Sequence, residues 1–176
     1  MVVQVAQSAA AWLIDNADLW PGGGSALDVA CGRGRHSILM ARSGFDVDAL
    51  DRSAEAIAEL RDLAERLRLR IHAQQLDLET TPPPDLGSQK YDVVMGFNYL
   101  HRPLMPALRD AVKPGGRIFY ETFTRRQAER GHPRNPAFLL EAGELERLMA
   151  PLTILRAREG DIDGRFIASI VAERPK

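Results

Sequence analysis

The stretch Ser25-Ala-Leu-Asp-Val-Ala-Cys-Gly-Arg-Gly-Arg-His36 constrains this chain more than any other. Leu27 and Val29 belong to a short apolar run that stops at Gly32-Arg33-Gly34, and from His36 an amphipathic pattern begins with Ile38, Leu39, Met40 and Ala41. That order predicts a buried strand, a tight turn and a helix. Glycine suits the turn because it tolerates left-handed backbone and has no Cβ to hold a ligand away. The helix start offers unpaired N–H groups and a partial positive charge. Open α/β sheets bind ligands at such turns, beyond the carboxyl ends of their strands. Ala30, Cys31, Gly32, Gly34 and His36 are therefore expected at a ligand site, although a glycine turn can also join strand to helix with no ligand at all.

The rest of the chain alternates strand and helix signals. Ala9, Trp12, Leu13 and Trp20 fall at helical spacings and predict a leading helix within residues 1–20, ended by Pro21-Gly-Gly-Gly24. Phe45 to Asp51 alternates and runs into an acid, as a second strand would. Ser53 can cap the next helix, with Glu55 in its first turn and Ile57, Leu60, Ala64 and Leu67 on its buried stripe. Ile71 to Asp77 predicts a third strand, and the prolines of Thr80-Thr-Pro-Pro-Pro-Asp85 require a loop after it. Tyr91 to Phe97 reads as the fourth strand. Leu104, Leu108 and Val112 line a helix that stops at Lys113-Pro-Gly-Gly116, and Arg117 to Glu121 is the fifth strand. An irregular basic stretch follows from Thr122 to Phe138. Leu145, Leu148, Met149 and Leu152 mark a last helix, and Thr153–Glu159 and Phe166–Ala172 flank a hairpin signal at Asp161-Ile-Asp-Gly164. Alternation of this kind implies one α/β domain over residues 1–176: a doubly wound, mostly parallel sheet of seven strands closed by a C-terminal antiparallel hairpin.

Composition removes several function classes. A formal net charge of −1 over 176 residues implies no global attraction to nucleic acid or to a membrane surface. Arg66, Arg68 and Arg70 are interleaved with acids, as on a solvated helix face. The lone cysteine, Cys31, allows no internal disulfide and fits a reducing compartment. No leader or membrane-spanning run is visible, so a cytoplasmic location is expected. No metal-ligand set is expected.

Asp51 lies nineteen residues beyond Gly32, near the spacing at which a carboxylate reaches ribose hydroxyls. A nicotinamide dinucleotide and S-adenosylmethionine (SAM) would both use it. The string Asp28, Ala30, Gly32, Gly34 resembles motif I of the class I SAM-dependent methyltransferases, with Ala30 in place of the first glycine. The block Tyr91-Asp-Val-Val-Met95 … Leu108 to Phe119, containing Val112-Lys-Pro-Gly-Gly116, resembles the same family and comes in the family's order with Asp51, Asp77 and the hairpin. The resemblance covers nearly the whole chain. It implies a Rossmann-like fold and SAM as cofactor, with Asp51 on the ribose, Asp77 accepting from the adenine amine and Leu78 offering backbone to the ring edge. Arg52, Phe97 and Asn98 complete the cofactor set expected on that basis.

The first third of the chain looks most like the tellurite-resistance branch, which implies a small-molecule acceptor: a thiol, a chalcogen oxyanion or a carboxylate. The loop after the fourth strand reads Phe97-Asn-Tyr-Leu100 and lacks the Asn/Asp-Pro-Pro-Tyr/Phe motif of base and glutamine N-methylation. A methyl donor that carries its own leaving group asks the protein mainly for alignment and water exclusion. His101 is the candidate general base, against the alternative of a surface histidine. Asn98, Tyr99 and Glu121 are candidates to orient the acceptor. Arg125, Arg126, Arg130 and Arg134 stand against one acid, Glu129, in a stretch long enough to act as a lid. Arg134 is the candidate partner for an anionic acceptor. An NAD(P)-linked oxidoreductase and a non-catalytic SAM-binding module are the alternatives.

Overall fold

The computed structural model describes residues 9–176. Seven strands form one sheet in the order β3-β2-β1-β4-β5-β7-β6. They are β1 (Gly24–Val29), β2 (Phe45–Asp51), β3 (Ile71–Gln75), β4 (Tyr91–Phe97), β5 (Val112–Phe123), β6 (Thr153–Ile162) and β7 (Arg165–Glu173). The pairs among β1 to β5 are parallel, and β7 runs antiparallel to both β5 and β6. The helices are α1 (Ala11–Asp15), α2 (Arg35–Arg42), α3 (Ala54–Leu67), α4 (Met105–Ala111) and α5 (Glu144–Met149). This is the α/β Rossmann-like sheet with a reversed C-terminal strand that the sequence implies. The strand order reverses direction between β1 and β4, which opens a crevice at the carboxyl edge of the sheet. No helix among the described residues is long and apolar enough to cross a membrane.

Central strands buried on both faces read as continuous apolar runs, and Ile118, Phe119 and Tyr120 of β5 are all fully buried. Leu27, Val29, Ile118 and Tyr120 pack with Leu108 of α4 and Met149 of α5 on one face. Ala26, Met95 and Phe119 pack with Trp12 of α1 and Met40 of α2 on the other. Ser53 caps α3 by accepting the Ala56 N–H at 3.2 Å.

Several boundaries differ from the sequence reading. Residues 1–8 of the expected leading helix lie outside the described residues. Within 9–20 the helix ends at Asp15, because the Asn16 side chain donates to the Trp12 carbonyl at 2.7 Å and closes the turn. A 3-10 turn over Ala17–Leu19 follows, so Pro21 is not what stops the helix. β3 ends at Gln75, two residues before Asp77, since Leu76 makes the last rung to β2 by donating to the Asp51 carbonyl at 2.9 Å. Val112 already pairs with Tyr91, so Lys113-Pro-Gly-Gly116 forms an irregular first segment of β5. β5 also runs on through Thr122 and Phe123, and Thr124 pairs with Leu140. The basic stretch is thereby shortened and partly built onto the sheet.

Two packing details reach the carboxyl edge. Gly96 of β4 lies under the Tyr120 ring, where an added Cβ would collide with the ring carbons. That closeness lets the Tyr120 hydroxyl donate to the Tyr99 carbonyl at 2.6 Å, fixing the loop after β4. Asp28, buried in β1, accepts the Ser37 hydroxyl at 2.6 Å and ties α2 to the sheet. Burial pushes its carboxyl up to about 7, and the Ser37 bond opposes that only in part.

Two outcomes are expected. Gly96→Ala should cost about 1–3 kcal/mol of overpacking, read as a lower urea midpoint. Because the folded protein holds the Asp28 proton more tightly than the unfolded chain, the stability Asp28 contributes is complete below the ordinary carboxyl value of 3.8 and is lost as pH rises through about 7. Urea titrations across that window should show wild type losing stability that Asp28→Asn keeps; parallel pH profiles would overturn the assignment.

Candidate active site

The glycine turn between β1 and α2 is built from left-handed residues, with φ of 53° at Ala30, 55° at Gly32 and 78° at Gly34. The two glycines answer different constraints. At Gly32 an added Cβ would meet nothing within 4 Å, so the backbone conformation is what favours glycine there. At Gly34 a Cβ would strike the Leu60 side chain of α3, so close packing of turn and helix adds to the demand. The turn is held by Asp51 at the end of β2. One carboxylate oxygen accepts the Gly32 N–H at 2.8 Å, and the other accepts the Ser53 N–H at 2.8 Å.

Beyond the ends of β1, β2, β4 and β5 lies a cleft of about 330 Å³, within the range of small-ligand sites. Its lining falls into two parts. One carries Asp51, Arg52, Asp77 and Glu79 together with Leu76 and Leu78. The other carries Leu100, Phe123, Pro133 and Phe138 beside Thr122. Ala30, Asn98 and Tyr99 also line it. Asp77 closes a short turn by accepting the Glu79 N–H at 2.9 Å. Asn98 takes a left-handed conformation with φ of 56° and donates its N–H to the Glu121 carbonyl at 2.9 Å.

The Tyr99 hydroxyl is buried and has no hydrogen-bond partner among the described residues. Burial pushes this phenol up, reinforced by Glu79 and Asp77 and opposed by Arg52, so it stays protonated and is a donor. A buried unpaired hydroxyl in a cleft marks a place where a ligand can supply the missing acceptor.

Other expected site residues lie behind or beside this lining. Gly32 and Gly34 form the turn itself. Cys31 is buried, and burial pushes its thiol far up, which removes it as a nucleophile. His36 is buried and its ring stacks on Phe97 at 4.3 Å between centroids. Its Nε2 accepts the Ala10 N–H at 3.1 Å. Burial, with Arg35 adding to it, pushes this imidazole down to about 3, so it is a neutral acceptor that fastens the leading segment to the turn. Asp28 sits beneath, in the core.

Glu121 does not reach the cleft. Only 2% exposed, it accepts the Ser169 hydroxyl at 2.6 Å and Arg158 at 3.2 Å, with Arg165 at 3.8 Å, because β7 and β6 bring those side chains onto its face of the sheet. His101 is outside the lining; its carbonyl accepts the Leu104 N–H at 3.0 Å and opens a 3-10 turn. Arg134 is exposed, donating from Nε to the Gly131 carbonyl at 3.4 Å. Arg125 pairs with Glu141, Arg130 pairs with Asp161, and Arg126 lies over the Phe166 ring. The stretch from 122 to 138 therefore contributes Thr122, Phe123, Pro133 and Phe138 to the cleft rather than its arginines. Reading the sequence for charge missed them, although an aromatic at each end of a basic loop was a visible signal. Glu79, two residues past Asp77, was missed in the same way. Among the described residues no group of three His, Cys, Asp or Glu side chains is placed to hold a metal ion.

The donor set fits SAM: a strand-end carboxylate with lone pairs to spare, apolar side chains for a flat ring and surplus negative charge for a cation. Comparison with known proteins agrees. The family model described as "Methyltransferase domain" matches residues 26–116. The ubiquinone biosynthesis O-methyltransferase of Cronobacter sakazakii is 35% identical over 108 residues, covering 58% of this chain and 44% of that protein. Its counterpart from Sodalis glossinidius is 36% identical over 110 residues, covering 58% and 43%. The chain thus spans less than half the length of these relatives. Among solved structures, TehB from Haemophilus influenzae superposes with a TM-score of 0.79 at 19% identity, covering 95% of this chain and 63% of that one. A SAM-dependent methyltransferase from Mesorhizobium loti gives 0.76 at 17% identity, covering 96% and 100%. At those identities the likeness is one of fold. The chain belongs to the methyltransferase-domain family.

Proposed function

We propose that the protein transfers the methyl group of SAM to an oxygen, sulfur or heavier chalcogen atom of a small, largely apolar acceptor. The observation that carries this reading is a cleft lined both by Asp51, Asp77 and Glu79 and by Leu100, Phe123, Pro133 and Phe138, with Tyr99 also in the lining. When bound, SAM supplies an electrophilic methyl group on a sulfonium sulfur. The chain's own work is to bind, align and keep water out.

On this reading Asp51 accepts the ribose hydroxyls with lone pairs left over from its bonds to Gly32 and Ser53. Asp77 and Leu78 receive the adenine, and Asp51, Asp77 and Glu79 together favour a cationic ligand at that end. Leu100, Phe123, Pro133 and Phe138 offer an acceptor surface with no charged side chain among them. That favours a neutral ring or alkyl body over an oxyanion, since Arg134 is exposed and outside the lining. Beyond the three carboxylates, no group in the lining is suited to take a proton near neutrality. Acceptors that ionise readily, such as thiols, selenols and acidic phenols, suit the site best. Tyr99 is the donor available to hold the acceptor's polar end.

The test is calorimetry with S-adenosylhomocysteine (SAH) and with NAD⁺, followed by methyl transfer from labelled SAM to thiophenol, catechol, selenite and tellurite. Binding of SAH and not NAD⁺, with transfer to at least one acceptor, is expected. NAD⁺ binding alone would favour an oxidoreductase, and SAH binding without transfer would favour a binding module. Asp51→Ala should weaken SAH binding on the order of tenfold or more, because charge-assisted hydrogen bonds are lost; unchanged affinity in the folded variant would refute the site. Tyr99→Phe, which deletes a buried donor without a partner, should not lower stability and should leave SAH affinity intact while raising the Michaelis constant of the best acceptor by about three- to tenfold, the worth of one hydrogen bond. A loss of SAH affinity instead would move Tyr99 to the cofactor half.

A further inference from the structure

We propose that Arg102 is a positioning residue that sets the width of the apolar half of the cleft, and so decides how bulky an acceptor it admits. The proposal rests on reading that half as the acceptor site. Arg102 follows directly on the loop that supplies Asn98, Tyr99 and Leu100 to one wall. Its guanidinium bonds to the segment that supplies Pro133 and Phe138 to the same lining. Nη1 donates to the Ala137 carbonyl at 3.0 Å and Nη2 to the Leu139 carbonyl at 2.9 Å, bracketing Phe138. Nε and Nη2 hold the two Glu144 oxygens at 2.6 and 2.9 Å, so the same group is fixed to the start of α5. Glu144 in turn accepts the Glu141 N–H at 2.7 Å, pinning the chain between the wall and the helix.

One side chain thus joins two segments of the lining and an anchoring helix. Only an arginine can do so, because its planar fork serves several acceptors at once, where a lysine offers a compact charge. Phe138 itself is 44% exposed. Its backbone is held by the Arg102 bonds to the carbonyls on either side, together with the Phe138 N–H to the Asn135 carbonyl at 3.0 Å and the Leu140 N–H to the Phe123 carbonyl at 2.9 Å. Loosening them moves a wall of the cleft without touching the carboxylate half, where Asp51 and Asp77 are held by bonds of their own.

The experiment uses full-length protein saturated with SAH and two ring probes, catechol and 4-tert-butylcatechol, with binding measured by calorimetry. Wild type should discriminate between them, since each added methyl in a fixed apolar pocket changes affinity by roughly tenfold or more. Arg102→Gln should shift the ratio of their dissociation constants by about fivefold or more and speed hydrogen exchange at the Leu139 and Leu140 amides, with SAH affinity within about twofold of wild type. Arg102→Lys should fall between. Phe138→Ala, which removes the wall and leaves the tie, should shift the ratio in a variant whose fold is not in question. Unchanged exchange or an unchanged ratio in Arg102→Gln overturns the proposal, as does a parallel loss of SAH and both probes, which would make Arg102 a general stabiliser. If wild type binds SAH but neither probe, the acceptor assignment of this half fails, and the proposal with it. If wild type does not bind SAH, the methyl-transfer reading itself fails first.

Discussion

The carboxylate of Asp51 is the point on which the site depends. It accepts one N–H from the glycine turn and one from the cap of α3, each at 2.8 Å. The two helices that follow β1 and β2 therefore leave the sheet in a fixed relation. The left-handed backbone at Ala30, Gly32 and Gly34 is a conformation that most residues avoid, and it persists because neighbouring bonds over-determine it. Asp51 is one of those bonds. The Cys31 N–H to the Leu50 carbonyl, at 3.0 Å, is another. A carboxylate has about four acceptor sites, and two serve the fold. Asp51 also lines the cleft, so the side chain that shapes the turn is the one that, on the proposed reading, would meet the ligand.

The opposite flank is organised by His36 and Glu121, which divide the same task. His36 stacks on the end of β4 and accepts from the backbone at Ala10, so the leading segment is tied to the cofactor turn rather than merely packed over it. Arg158 lies over the Trp12 ring and also reaches Glu121, extending the link from α1 across β6 and β7. A buried carboxylate without partners would be costly, and the Ser169 hydroxyl and two arginines are what make Glu121 tolerable there. The carboxyl edge is in this way fastened from both ends of the chain, and the cleft lies between the fastenings.

How much of this was legible follows from how local each signal is. The strand, turn and helix from Gly24 to Arg42 are written in adjacent residues: an apolar run, glycines and an amphipathic repeat. β2 and β4 match the sequence reading at both ends because their flanking glycines and loops are as local as the strands. The unreadable parts depend on partners far along the chain. Glu121 looked like a free strand-end acid, and its partners Ser169 and Arg158 lie 48 and 37 residues away. Phe138 looked like the tail of a basic loop, and only the pairing of Thr124 with Leu140 folds it back against the cleft. Arg102 carried no motif, because its partners sit 35 to 42 residues downstream. Charge drew attention to Arg134, yet charge says only that a residue prefers water unless something pairs it.

Residue type alone cannot separate cleft-lining side chains from structural ones here, since acids and tyrosines occur in both groups. Spare hydrogen-bonding capacity can. Asp28 and His36 are chemically capable and buried at the motif, but their partners are internal and their shifted pKa values record burial rather than activation. Glu121 is buried and engaged by Ser169, Arg158 and Arg165, outside the lining. Tyr120 spends its hydroxyl on the Tyr99 carbonyl, and that bond holds the Tyr99 ring where its own hydroxyl is buried without a partner. The two tyrosines thus form a relay of position, in which one is consumed so that the other is left open. An unpaired buried donor is a standing cost to the folded protein. On the proposed reading, a ligand acceptor would remove that cost on binding, so that stability given up at Tyr99 in the free protein would return as affinity.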